Sequence, residues 1–166
     1  MYIDLISKRD KSLIDELKAL GFGAVFCPEK DSIRNVLDPE PFDLKMYAGD
    51  DYEFVITKGK ADAVTDLEKS GFLLNKGLCS KLKENKIFVI FKFKSLVESP
   101  DFFRTYKNFL INGRLCSDYS VPSLFVSFAG DLNEVKSPIQ LAAFAENFRY
   151  NYNNYRKSLE LLLKRT

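Results

Sequence analysis

Tyr2–Pro28 reads YIDLISKRDKSLIDELKALGFGAVFCP. Tyr2–Ile6 has the composition of a short strand, and Asp10 stands where a helix N-cap belongs. Leu13, Ile14, Leu17 and Leu20 then recur at helical spacing. Gly21 closes that helix in a position that suits a left-handed residue, and Ala24–Cys27 reads as a second buried strand stopped by Pro28. A strand, a helix and a strand in this order favour parallel pairing with a right-handed crossover, the repeating element of barrels and of open α/β sheets.

Beyond Pro28 the apolar residues thin out. Pro39 and Pro41 interrupt the segment, which predicts at most a short helix around Ile33–Leu37. Three strand candidates follow: Asp43–Ala48, Glu53–Thr57 and Asp62–Leu67, the last with a composition that suits a helix equally. Leu74, Leu78 and Leu82 form a narrow apolar stripe in a helix predicted over Ser70–Asn85. Ile87–Phe93 is a near-continuous run of β-branched and aromatic residues, as in a strand buried on both faces. Ser99 and Pro100 open a long helix that carries Phe102, Tyr106, Phe109 and Leu110. Leu124–Phe128 is another buried strand, and Ser137, Pro138 and Gln140 form a capping-box start for a helix with Leu141, Phe144, Ala145 and Phe148 on one face. A final helix is expected over Tyr155–Lys164. The strand candidates number seven, fewer than a full eightfold barrel uses. The expected class is α/β: a small distorted TIM-like (β/α) barrel with about seven strands, in one domain over 1–166, with an open parallel sheet as the competing architecture.

Composition restricts the chemistry. The chain of 166 residues is 46% hydrophobic and contains no histidine, so the commonest metal ligand and neutral-pH proton carrier is missing. Lysine and arginine number 25 against 23 acids, for a net charge of +2, and any basic surface must therefore be local. Cys27, Cys79 and Cys116 are odd in number and far apart, which fits buried thiols of a cytoplasmic protein better than a disulfide framework or a zinc site. No apolar stretch reaches the roughly 20 residues of a membrane helix. Met1–Leu5 runs directly into strand-like sequence, so no secretory signal is expected.

Three segments, in this order, carry a family resemblance. They are the opening YIDL (Tyr2–Leu5), SGFLLNKGLCSKLKENKIFVIFKFK (Ser70–Lys94), and VPSLFVSFAGDLNEVKSPIQLAAFAENF (Val121–Phe148). The last is similar to a late strand ending in serine and small residues, followed by a basic-Ser-Pro turn and a helix of leucine and alanine. Together they resemble the archaeal ribonuclease P protein component 3 family, whose barrel is related to polymerase-and-histidinol-phosphatase-type hydrolases. The chain is shorter and less basic than that family's pattern. In the related hydrolases the first strand ends in a metal-binding His-x-His pair, and here Ile6 and Lys8 stand in those places. A remnant cluster of Asp4, Asp50, Asp51 and Asp131 would offer oxygen ligands alone, and solvated loop acids and helix caps are the expected reading of these residues.

The resemblance implies a noncatalytic protein that supports a catalytic RNA in removing the 5′ leader of precursor tRNA. It implies the ribonuclease P RNA and ribonuclease P protein component 2 as partners, precursor tRNA only indirectly, no cofactor on the protein, and Mg2+ required by the RNA. Candidate RNA contacts are cations at rims and helix starts: Lys8 and Arg9, with Lys11, after the first strand; Lys58, with Lys60, around Gly59; Lys92 and Lys94 on one face at a strand end; and Arg104, Lys107 and Arg114 on the following helix. Tyr150 and Tyr152 either stack on bases or pack on the preceding helix, and packing is expected. The alternatives are a small barrel hydrolase acting through carboxylates or through Lys92 as a Schiff-base lysine, or an interaction module without RNA contact. Cys116, in a helix among Phe and Leu, is expected to be inert.

Overall fold

A computed structural model describes residues 2–29, 32–35 and 44–163, and the opening unit forms as its spacing requires. Strand β1 (Tyr2–Leu5) leads to helix α1 (Lys11–Ala19) and strand β2 (Phe22–Glu29). The Asp10 carboxylate caps α1 by accepting from the Leu13 N–H. Leu13 and Leu17 are buried against Val25 and Cys27 of β2, each contributing about 1.5–3 kcal/mol by leaving water. The chain continues through β3 (Ser32–Asn35), β4 (Leu44–Tyr47), α2 (Tyr52–Lys58), β5 (Ala63–Thr65), α3 (Leu67–Ser70) and α4 (Lys76–Glu84). It closes with β6 (Phe88–Lys92), α5 (Phe93–Val97), α6 (Phe102–Asp118), β7 (Ser123–Val126), α7 (Pro138–Asn147) and α8 (Tyr152–Leu163).

The strands form one mixed, mainly parallel sheet in the order β1-β2-β3-β4-β5-β6-β7. β1 and β2 pair parallel, β3 runs antiparallel to both β2 and β4, and β4 through β7 are parallel. Just past the ends of the first and last strands, Ile6 makes a parallel bridge to Ala129, and the Ser7 N–H donates to the Ala129 carbonyl at 2.9 Å. The sheet therefore curls. Ile3, Leu5, Phe26, Leu44, Ile90 and Val126 surround one narrow apolar gap that Leu162 of α8 also lines. The two-residue alternation of a strand sends the intervening side chains outward. There Phe91 stacks on Phe125 at 4.7 Å, and Phe125 meets Phe144 of α7 edge-on.

Several expectations change, among them the start of α6, which Asp101 and not Ser99 caps by accepting from the Arg104 N–H. Glu53–Thr57 is helical within α2 and not a strand, because Tyr52, Val55 and Ile56, spaced as one helical face, are the residues it buries. Ser32–Asn35 is a strand and not the start of a short helix, since it pairs antiparallel with β2; Val36 and Leu37 lie outside the described residues. The helix predicted over Ser70–Asn85 begins only at Lys76, where the Asn75 side chain accepts from the Leu78 N–H. The ambiguous Asp62–Leu67 divides into a three-residue strand and the start of α3. Among the described residues no helix is long and apolar enough to cross a membrane.

Helix α6 lies so close to the end of α7 that a Cβ at Gly113 would sit 2.7 Å from the Phe148 carbonyl oxygen. Alanine would favour the isolated helix by about 1 kcal/mol, while an overpacked contact with rigid backbone costs about 1–3 kcal/mol. Gly113→Ala is expected to lower the urea midpoint without changing the slope of the transition, a net loss of about 1 kcal/mol. An unchanged or raised midpoint would show that α6 and α7 can separate freely.

Candidate functional site

In open and closed parallel sheets alike, ligands sit beyond the carboxyl ends of the strands. At that end β1 and β7 are joined by a buried carboxylate. Asp4 is fully buried. Its Oδ1 accepts from the N–H groups of Leu5 at 2.8 Å and Ser127 at 2.7 Å, and the Ser127 hydroxyl donates to Oδ2 at 2.5 Å. Burial pushes the Asp4 carboxyl up to about 7, against these hydrogen bonds, which pull it down. By strand alternation with Ile3 and Leu5, Asp4 lies on the side away from the apolar gap. Asp50 and Asp51 are exposed, and Asp131 caps the 3₁₀ turn Leu132–Glu134 through the Asn133 N–H. The remnant carboxylate cluster does not assemble. Among the described residues no three His, Cys, Asp or Glu side chains converge as metal ligands would, and Ile6 is buried in the bridge to Ala129.

Lys92 closes the mouth of the curled sheet. It continues the inward series Phe88, Ile90, Lys92 and is only 5% exposed. Its ammonium donates to Asp66 Oδ2 at 2.7 Å and lies 4.2 Å from the centre of the Phe128 ring. The Ser95 hydroxyl donates to the other Asp66 oxygen at 3.1 Å. Asp66 and Phe128 both hold left-handed backbone, with φ of 61° and 56°, a conformation rare for side-chain-bearing residues and kept here at the site. Beside them Glu68 is 2% exposed, and neither of its carboxylate oxygens has a hydrogen-bond partner among the described residues. Burial pushes this acid up to about 8, Asp66 adds to the rise, and Lys92 and Lys69 oppose it. Burial thus favours the neutral form of Glu68 over the carboxylate.

Lys94 does not share the face of Lys92. The strand ends at Lys92 and α5 begins at Phe93, so the alternation on which the expectation rested stops one residue too early. Lys94 Nζ instead donates to both Glu134 oxygens at 2.8 Å and lies 3.5 Å from Glu98. Its hydrogen bond to Glu134 raises the Lys94 pKa and lowers that of Glu134, which the Gly130 N–H also stabilises. Lys92 and Lys94 are therefore committed to internal carboxylates. Lys8, Arg9, Lys58, Arg104 and Lys107 are exposed, and Arg114 faces Asp118 at 3.5 Å. Lys58 ends α2, on the opposite rim of the sheet from Lys8 and Arg9, so the eight candidates do not form one patch.

Cys27, Cys79 and Cys116 are buried. Burial pushes the Cys79 thiol up to about 11 and the Cys116 thiol higher still, which makes them poor nucleophiles. Tyr150 is buried, its hydroxyl donating to the Val121 carbonyl at 2.8 Å; the side chain of Tyr152 lies outside what is described. The Asp66, Glu68 and Ser95 cluster was missed in the sequence, where the only trace is a pair of acids two residues apart at a strand end. No protein-family model matches the chain, and no curated protein matches it.

A buried acid whose pKa is raised from its unfolded value stabilises the protein below that unfolded value, and the contribution is lost as pH rises through the folded one. For Glu68 the window runs from 4.5 to about 8. Thermal stability is expected to fall across it. Glu68→Gln, which cannot ionise, should remove much of this fall and leave the variant about 5 °C more stable than the parent at pH 8.5. Parallel melting curves for parent and variant between pH 5 and 8.5 would count against a protonated Glu68.

Proposed function

We propose that this chain is a noncatalytic protein subunit of an archaeal-type ribonuclease P, built on a small distorted (β/α) barrel whose rim is closed by the Ile6–Ala129 bridge. The observation that carries the RNA contact is one face of α6. At about 100° per residue, Phe103, Lys107, Arg114 and Arg104 fall within an arc of about 100° on that helix. Phe103 is 83% exposed, and Arg104 and Lys107 are exposed without a carboxylate in ion-pair reach among the described residues. Cations spaced along one helix with an exposed aromatic ring among them suit phosphates and an unstacked base. Arginine adds a planar fork that fits phosphate.

The three segments resembling component 3 support the same reading. They fall on β1, on α4 with β6, and on β7 with α7, and so include both strands that meet at the sheet's closure. In this role the protein neutralises phosphate repulsion so that the RNA folds and holds its own Mg2+. Component 2 is the expected protein partner, and precursor tRNA is engaged through the RNA. Adding this chain with component 2 should lower the magnesium needed for leader removal by the RNA; an unchanged requirement would remove the role. On the protein side, reversing Arg104, Lys107 and Arg114 to glutamate should reduce the slope of log affinity against log salt by about 2 for single-stranded RNA. An unaltered slope would move the contact off α6 and leave an interaction module as the better description.

A further inference from the structure

The carboxylate of Glu134 occupies an anion site made by the rest of the protein. Its Oε2 accepts from the Gly130 N–H at 2.6 Å, and both oxygens accept from Lys94 Nζ at 2.8 Å. A main-chain N–H and an ammonium aimed at one point are the elements of a phosphate or carboxylate cradle. Gly130 leaves the approach clear: a Cβ there would lie 3.0 Å from Ser7 Oγ and 3.3 Å from both Lys94 Nζ and Glu134 Oε2. Next to the cradle is a hollow of about 150 Å³, with Phe93, Ser127, Asn133 and Lys136 in its lining. Lys136 reaches over the Phe93 ring at 5.1 Å and has no carboxylate partner among the described residues.

The segment that delivers Glu134 is lightly held. It is a single 3₁₀ turn, Leu132–Glu134, with no buried residue, and Leu132 is 50% exposed. Swinging it away would break the contacts of the Glu134 carboxylate with Lys94 and the Gly130 N–H and disturb the packing of the adjoining, partly buried Val135 on the core around Leu13 and Leu141. We infer that Glu134 is an intramolecular stand-in for a phosphate group, and that an external phosphate competes with it for the Gly130 N–H and Lys94, with Lys136 as a second cation. Glu98, 3.5 Å from Lys94, remains as a counter-charge and keeps the unassisted site weak. The structure thus holds a masked phosphate site at the carboxyl ends of β6 and β7, opened when the turn is displaced. This inference does not depend on the RNA reading, because free phosphate and a nucleic-acid backbone present the same chemistry.

The test titrates inorganic phosphate against the full chain at constant ionic strength, following the amide resonances and the phosphate line width by NMR. The parent should bind on the order of millimolar or more weakly. Glu134→Ala should bind about tenfold tighter, with the Gly130 amide shifting on titration, because the competing carboxylate is gone. Adding Lys94→Met to that variant should abolish the gain. A second arm uses an oligouridylate without terminal phosphates. Enhancement with both ligands assigns the site to a nucleic-acid backbone, and enhancement with inorganic phosphate alone assigns it to a free phosphate or monoester. If Glu134→Ala binds neither ligand more tightly, or if the gain survives loss of Lys94, the inference is overturned. Should the double variant fail to fold, the affinity and the Gly130 shift in Glu134→Ala alone decide it.

Discussion

A buried carboxylate holds the two ends of this sheet together. Asp4 takes three hydrogen bonds, two of them from Ser127, a residue more than a hundred positions away in sequence. Removing a carboxyl group from water is costly unless its oxygens are met by donors, and here every donor lies on β1 or just past β7. The carboxylate is satisfied only when the first and last strands are side by side. That adjacency places Ser7 next to Gly130 and brings Ile6 to Ala129. It also fixes where the loop after β7 leaves the sheet, and so where the turn bearing Glu134 lies relative to Lys94.

The second constraint is charge. With a net of +2, nearly every cation has an acid somewhere to meet, and the structure shows which pairs are made inside. Lys92 and Asp66 pair at the mouth of the sheet, where the surroundings are dry enough for an unpaired ammonium to be expensive, and Lys94 and Glu134 pair further out, both partly exposed. The cations left over stand on helices and loops. On α6, Arg104 and Lys107 are exposed without a carboxylate in ion-pair reach among the described residues, while Arg114 meets the exposed Asp118 one turn on.

Sequence periodicity was most informative where one side chain per turn or per two residues decides burial. Leu13 and Leu17 and the capping box of Ser137 and Gln140 appear as expected, and the run Ile87–Phe93 forms a buried strand over Phe88–Lys92, with Phe93 already helical. Glu53–Thr57 misled because Phe54, Val55, Ile56 and Thr57 have strand composition, while the decisive signal is the spacing of Tyr52, Val55 and Ile56, which starts one residue earlier. The antiparallel excursion through β3 had no local signature, since it depends on pairing with β2 and β4. The acidic partners of Lys92 and Lys94 were invisible for the same reason. Asp66 and Glu134 are 26 and 40 residues from the lysines they hold, and nothing in either local sequence announces the match.

The contrast between Lys92 and Lys94 shows how a single boundary decides chemistry. Had β6 run two residues further, both lysines would have pointed into the mouth of the sheet, and one of them would have lacked an acid. Instead the backbone turns helical at Phe93. That turn rotates Lys94 out of the interior series and toward the loop after β7, where Glu134 and the Gly130 N–H wait. The first lysine is thereby made structural, sealed by Asp66, Ser95 and the Phe128 ring. The second remains 24% exposed beside an open hollow, held by a carboxylate on a turn with no buried residue of its own. Of the two, only the outer lysine keeps the access that exchange with an external anion demands, and it owes that access to where one strand stops.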